Sequence, residues 1–478
     1  MAEVLFVQNL PYEYPGTGLI AALLKEHGHR VGVAIASNFN LLKGRLRSRQ
    51  ILAFSIMTGM QRWATEISAE AKKQSGCFVV MGGPHPTYYP EIIEKSSHID
   101  AICRGEGEHA MLDLADALDG GRDISRIANF WVRKDGNIYK NEPRPLIADL
   151  DALPRQDREL YYCDYPFLRQ SSHKNFMAGR GCPFDCSFCF NRQLRGLYRN
   201  KGNFVRMRSS ESVIAEIEVV RDKYGLKKVF FHDDTLILDS KWLNEFLSLY
   251  KKRVGLPLYC SGRADTLTEE IARNLKAANC RVVSFAVESG NEKLRKGLLN
   301  KNITNEKLIE AARILKQNRI KLLTFNMVGI PGETLEDAWD TVNLNVKMGV
   351  NYPRCSFLTP YPGIEITDYA RDNGYLDSNF DEISNFSQQT ESLIKNKDRD
   401  SLVNMHHFFQ TAVLFPALRP VIKYLAVLPD NIIYRVWWGI VYFIVFAKGE
   451  GRGVLNMAIF SVRLWFSSLL GAGRRGDD

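Results

Sequence analysis

Three thiols fall within one short loop, Gly181-Cys182-Pro183-Phe184-Asp185-Cys186-Ser187-Phe188-Cys189. Whatever the rest of the chain builds has to present this loop so that its sulfurs can meet one object. Gly179-Arg180-Gly181 turns the chain just ahead of it, and Gly and Pro make the loop pliable enough to wrap a small inorganic body. Thiolates are soft ligands for zinc, copper(I) or iron–sulfur clusters. A closed iron–sulfur cube or a Cys-only zinc site wants four of them, so a triplet leaves one corner open. The alternatives are a zinc loop borrowing a distant His or Cys, and three unrelated buried thiols. No second Cys pair follows at zinc-finger spacing.

The spacing Cys182-x-x-x-Cys186-x-x-Cys189, with Phe188 before the last thiol, resembles the radical S-adenosylmethionine (SAM) superfamily. The resemblance implies that Cys182, Cys186 and Cys189 hold a [4Fe–4S] cluster. Its fourth iron takes the amino and carboxylate groups of SAM, and Phe188 packs near the adenine. It implies a one-electron cleavage of SAM to methionine and a 5′-deoxyadenosyl radical, with an electron donor such as flavodoxin or ferredoxin.

At 478 residues the chain is long enough for two or three domains, and 45% apolar with 24% charged residues is ordinary for a globular protein. Lys and Arg are scattered despite a net charge of +9, so no nucleic-acid partner is expected. Nine cysteines, an odd number with one tight triplet, are no disulfide framework and suit a reducing compartment. Cys77, Cys103, Cys163, Cys260, Cys280 and Cys355 read as small buried hydrophobes. The N-terminus enters a strand directly, without the segments of a secretory signal, which predicts a cytoplasmic protein.

Residues 1–125 alternate short apolar strands with helices. Such strands, at Val4–Val7, Arg30–Ile35, Ile51–Ser55, Phe78–Met81 and Ile99–Ile102, predict an α/β, doubly wound, Rossmann-like domain whose ligand crevice lies beyond the carboxyl ends of a parallel sheet. Those ends carry Ser55, Thr58 and Gly59, then Gly82, Gly83 and His85. The phrases Gly82-Gly83-Pro84-His85-Pro86-Thr87 and Arg104-Gly105-Glu106-Gly107-Glu108 resemble the cobalamin-binding domain found ahead of many radical SAM domains. That resemblance implies a cobalamin cofactor near these residues. The cobalt-ligating Asp-x-His-x-x-Gly motif of classical cobalamin domains is missing, and His85 reads equally as a polar turn residue.

Residues 126–170 read as a linker with one strand near Asn129–Val132, packed against both domains because its Leu, Ile and aromatic side chains need burial. Asp149-Leu150-Asp151-Ala152-Leu153-Pro154 resembles the usual lead-in to a radical SAM domain. Residues 171–372 resume the alternation, with strands at 176–178, 228–232, 258–261, 282–287, 322–328 and 354–358, and suit a partial (β/α)6 TIM-type barrel. SAM needs a cation for its carboxylate, acceptors for its ribose and bare backbone for its adenine. The family resemblance assigns Arg263 to the carboxylate, Glu288 to the ribose or amino group, and Gly329 and Ile330 to the adenine. Asp233 and Asp234 become catalytic candidates near SAM or substrate. The competing reading makes Arg263 and these carboxylates ion pairs of the barrel rim.

Residues 373–478 form a helical, aromatic-rich region. Two apolar runs, 432–447 and 454–470, are shorter than the ~20 residues of a bilayer span, and suit either helices at a membrane interface or a lid over the barrel. The predicted function is a cobalamin-dependent radical SAM enzyme, most simply a methyltransferase acting on an sp³ carbon of a small molecule. The tail suggests a lipid, isoprenoid or tetrapyrrole substrate and a peripheral place at the inner membrane face. The alternatives are a radical cyclisation, rearrangement or anaerobic oxidation, as in porphyrin-cyclase-like and hopanoid-related branches, and a non-catalytic iron–sulfur sensor or membrane-associated scaffold.

Overall fold

The computed structural model describes residues 1–47, 50–377, 391–455 and 458. The N-terminal sheet is built from β1 (Glu3–Gln8), β2 (Arg30–Ile35), β3 (Ile51–Ser55), β4 (Phe78–Gly82), β5 (Ala101–Cys103), β6 (Phe130–Lys134) and β7 (Asn137–Lys140). Its order is β2-β1-β3-β4-β5-β6-β7. The first five strands run parallel, and β6–β7 is an antiparallel hairpin added at one edge. Asp135 and Gly136, both at positive φ, make its turn. The segment read as a one-strand linker thus supplies two strands to this sheet.

Alternation along each strand explains the two-faced core. Val4 and Phe6 of β1, Ile51 and Ala53 of β3 and Val80 of β4 meet Ala21, Leu24, Met111 and Leu114 of helices Pro15–Glu26 and Glu108–Asp119. Leu5, Val7, Leu52, Phe54, Val79 and Met81 meet Ala64, Ile67 and Ala71 of helix Gln61–Ser75 on the other face. This is a doubly wound domain, with strand order reversing between β1 and β3.

The second sheet contains β8 (His173–Phe176), β11 (Lys228–Phe231), β12 (Leu258–Ser261), β13 (Cys280–Glu288), β14 (Lys321–Val328) and β15 (Tyr352–Phe357). Between β8 and β11 a small antiparallel ribbon joins β9 (Gly179–Arg180) to β10 (Arg206–Met207). All six strands of the sheet are parallel and lie in chain order, the arrangement of a partial barrel. The first strand begins at His173, ahead of the predicted 176–178, because His173–Phe176 pairs residue for residue with Lys228–Phe231. Helices Ser210–Tyr224, Asn305–Gln317 and Leu335–Met348 start at Ser209, Thr304 and Thr334, whose hydroxyls accept from backbone N–H groups of their first turns. Val229, Phe231, Val283 and Phe285 pack beneath this helical layer.

The opposite face of the same sheet is covered by the C-terminal region. Phe230, Tyr259, Val282, Leu323 and Tyr352 pack with Val441 and Val445 of helix Ile432–Gly449. Helix Arg399–Leu414 lies over Val328, Cys355 and Phe357 at the barrel's far edge. Most of the second apolar run, 454–470, falls outside the described residues. Among the scattered cysteines Cys163 departs from expectation: it is exposed, because it caps the short helix Glu159–Tyr162 rather than joining a core strand.

Candidate active site

The cysteine loop follows the β9 ribbon strand and ends at helix Phe190–Leu197. Its backbone is pinned from the barrel side. Ser187 donates its N–H to Leu299 O (3.1 Å) and its hydroxyl to Leu298 O (2.6 Å), while Asn300 Nδ2 donates to Asp185 O (2.8 Å). The thiols are free; Cys186 is buried, and Cys182 and Cys189 are half-buried. Burial pushes all three up, Cys189 to about 11, while Lys301 and Arg263 pull Cys186 back toward its anion. Among the described residues no three Cys, His, Asp or Glu side chains converge as a single ion requires. Three soft donors on one pinned loop, with two cations beside the middle one, fit a cluster that binds thiolates at separate corners.

Barrel strand ends surround the loop. The Arg263 guanidinium lies 3.4 Å from the ring centre of Phe184, inside the cysteine loop, and donates to Asp265 at 3.0 and 2.8 Å. Glu288 ends β13 at a register shift, with φ 66°, and its buried carboxylate accepts from the buried Lys301 at 3.1 Å. A non-glycine residue held in the left-handed region is costly and concentrates where function demands it. The rim ion pairs are therefore present, and they sit against the cysteine loop. Gly329 and Ile330, assigned to adenine, donate their N–H groups inward to Glu333 Oε2 at 2.5 and 3.1 Å. Glu333 is buried, and burial pushes its carboxyl up to about 8.

A cavity of about 510 Å³ opens between the two sheets. Ser55, Gly82, Gly83 and Tyr88 line it from the first domain; Asn191, Asp233 and Asp234 line it from the barrel. Gly83 has φ 92°, and a Cβ there would sit 2.8 Å from Ile56 O, so only glycine lets the wall run this close. Asp233 accepts from Ala178 N at 3.0 Å and Gly179 N at 2.6 Å, and burial raises it to about 6. Asp234 is open to the cavity. Three other candidates turn elsewhere. The His85 Nδ1–Thr58 Oγ1 bond (3.0 Å) is buried, Gly59 N donates to Gln61 Oε1 (2.5 Å), and none of the three lines the cavity. Among the described residues no first-domain histidine lines it. A space of this size with a glycine wall at the switch-point end of a doubly wound sheet fits a bulky flat cofactor.

Sequence reasoning missed four contributors. Tyr88 stacks on Phe190, just after Cys189, with ring centres 4.4 Å apart and planes 12° apart, and donates to Phe190 O at 3.1 Å. Asn191 Nδ2 reaches Cys189 Sγ at 3.7 Å from the cavity wall. Glu106 ties the first domain to the ribbon beside the cysteine loop, and Lys301 neutralises Glu288. Tyr88 and Glu106 flank or belong to the glycine phrases, which was a usable signal; Lys301 carried none.

Two family models match this chain: the B12 binding domain over residues 8–115 and the Radical SAM superfamily over residues 177–344. The chain carries a radical SAM domain with a B12-binding domain ahead of it. The radical SAM domain implies a [4Fe–4S] cluster and SAM, and its companion implies cobalamin. It is 33% identical to the uncharacterized methyltransferase PH0819 of Pyrococcus horikoshii over 307 residues, 63% of this chain and 64% of that one. It is 29% identical over 296 residues to the anaerobic magnesium-protoporphyrin IX monomethyl ester cyclase of Rubrivivax gelatinosus, 59% of this chain and 51% of that protein. The chain thus spans between half and two thirds of these relatives. The fold resembles that of the radical SAM methyltransferase TsrM from Kitasatospora setae, solved with cobalamin and a [4Fe-4S] cluster (TM-score 0.62, 20% identity, 79% of this chain and 76% of that one). It also resembles the cobalamin-dependent radical enzyme OxsB, solved with aqua-cobalamin and SAM (TM-score 0.64, 14% identity, 98% and 80% coverage).

Proposed function

We propose that this chain is a cobalamin-dependent radical SAM enzyme that methylates an unactivated carbon of a small, largely apolar molecule. One observation carries the reading. A single cavity has the glycine-walled strand ends of the B12-binding domain on one side and Asn191, Asp233 and Asp234, next to the cysteine loop, on the other. The cofactors would supply reductive SAM cleavage and a transferable methyl group. Cys182, Cys186 and Cys189 would hold the cluster, with Arg263, Glu288 and Lys301 beside its SAM-binding corner. Ser55, Gly82 and Gly83 would line the corrinoid. Asp234, open to the cavity, would orient substrate or take a proton, while Asp233 holds the backbone of Ala178 and Gly179 in place.

The names of the relatives support methyl transfer first and ring closure second, and the cyclase among them favours a tetrapyrrole-sized substrate. A one-electron donor such as flavodoxin or ferredoxin and a place in the cytoplasm at a membrane face complete the reading. Anaerobic reconstitution with iron, sulfide and hydroxocobalamin tests it. Methyl transfer yields S-adenosylhomocysteine together with methionine. Methionine and 5′-deoxyadenosine alone would shift the assignment to cyclisation or rearrangement. A reconstituted cluster that cleaves no SAM under strong reductant would leave only an iron–sulfur sensor.

A further inference from the structure

The large exposed apolar side chains gather at one end of the described chain. Val421, Tyr424, Val427, Ile432, Ile433 and Val436 are each between 54% and 73% exposed. Scattered exposed apolar residues are ordinary, but a contiguous face of them marks an interaction surface. They belong to helix Arg419–Leu425, the turn after it, and the first half of helix Ile432–Gly449. Between Phe415 and Gly449 the basic residues are Arg419, Lys423, Arg435 and Lys448, against one acid, Asp430. Asp430 is already bonded by Arg435 at 2.6 Å. Glu391 also stands 3.8 Å from the Arg435 guanidinium, so the excess positive charge beside the exposed apolar residues rests on Arg419 and Lys423.

Helix Ile432–Gly449 is long and apolar enough to cross a membrane by length and composition, at mean hydropathy 1.4. Its second half is committed elsewhere. Val441 and Val445 are buried on the barrel sheet, and Arg354 donates to Glu450 at 2.7 Å just past the helix end. A helix anchored in this way lies along a surface rather than through one. Trp437 fits that posture: its Nε1 donates inward to Thr411 Oγ1 at 2.9 Å while 42% of the residue stays exposed. The adjoining residues Trp438 and Tyr442 face inward and line a cavity of about 230 Å³ together with Phe188 of the cysteine loop.

We infer that this face docks on an anionic lipid bilayer, with the first half of helix Ile432–Gly449 lying in the interface. Apolar side chains enter the headgroup boundary and the basic residues meet lipid phosphates. The inner face of the same helix borders the barrel edge, so the substrate is an amphiphile taken from that leaflet. This last step rests on the activity proposed above; docking does not.

Co-sedimentation of the full-length apoprotein with vesicles tests docking without any cofactor, so its outcome is separate from that of catalysis. Binding is expected on mixed phosphatidylglycerol and phosphatidylcholine vesicles, weaker on phosphatidylcholine alone, and reduced by high salt. Lys423→Gln should weaken it about fivefold, and Ile433→Asp with Val436→Asp should abolish it while circular dichroism stays unchanged. Wild-type protein that ignores both vesicle types, or variants that bind like wild type, would overturn the inference. So would self-association in sedimentation velocity that Ile433→Asp dissolves, since the face would then belong to a second copy.

Discussion

Arg180 reaches across the domain boundary to Glu106, Nη1 to Oε1 at 2.8 Å, and its Nη2 reaches Glu108 Oε1 at 2.5 Å. Arg180 stands two residues before Cys182, and directly opposite it in the ribbon is Arg206, which also donates to Glu106 Oε1 at 2.8 Å. Two arginines facing each other across paired strands repel. Glu106 relieves this; burial works against its charge, but Arg206 and Arg180 hold its carboxyl below the usual range. The Arg-Gly-Glu-Gly-Glu phrase therefore locks the B12-binding domain onto the strands that bracket the cysteine loop.

Glu106→Ala should leave the buried Arg206 guanidinium without its carboxylate and facing Arg180, which keeps Glu108. Removing one partner of such a pair costs about 3–5 kcal/mol. Urea denaturation should show that loss, and Arg206→Met in the Glu106→Ala background should recover part of it.

Cys186→Ala should separate the two cofactors. None of the three cysteines lines the large cavity. Iron after anaerobic reconstitution should fall to background, while hydroxocobalamin titration should give the wild-type affinity.

His85→Ala addresses the axial position. The ring is buried against Thr58 and absent from the cavity wall. The optical spectrum of bound corrinoid should match wild type, and stability should fall by the ~1–3 kcal/mol that an unpaired buried hydroxyl costs.

Glu333 gives a pH signature. Its folded value is raised to about 8 by burial, above an unfolded value of about 4.3. The stabilisation from such a group is complete below its unfolded value and is lost as pH rises through its folded one. Glu333→Gln keeps an oxygen for the Gly329 and Ile330 N–H groups and removes the ionisation. The variant should melt above wild type near pH ~9, with the gap shrinking through pH ~6 and closing only near pH ~4.

The chain's local instructions were readable without coordinates. The continuous apolar runs Val4–Val7 and Ile51–Ser55, and the spacing of Cys182, Cys186 and Cys189, are set by residues a few positions apart. They sufficed for two α/β units, a cluster loop and a glycine-walled crevice. Packing alone decided that His85 turns to Thr58, that Glu333 occupies the N–H groups of Gly329 and Ile330, and that Lys301 meets Glu288. The same holds for Glu106 and Arg180, which lie 74 residues apart in different domains. Periodicity states which face of a strand or helix is apolar. It does not state which distant side chain will stand opposite, because that depends on how two finished sheets settle against each other.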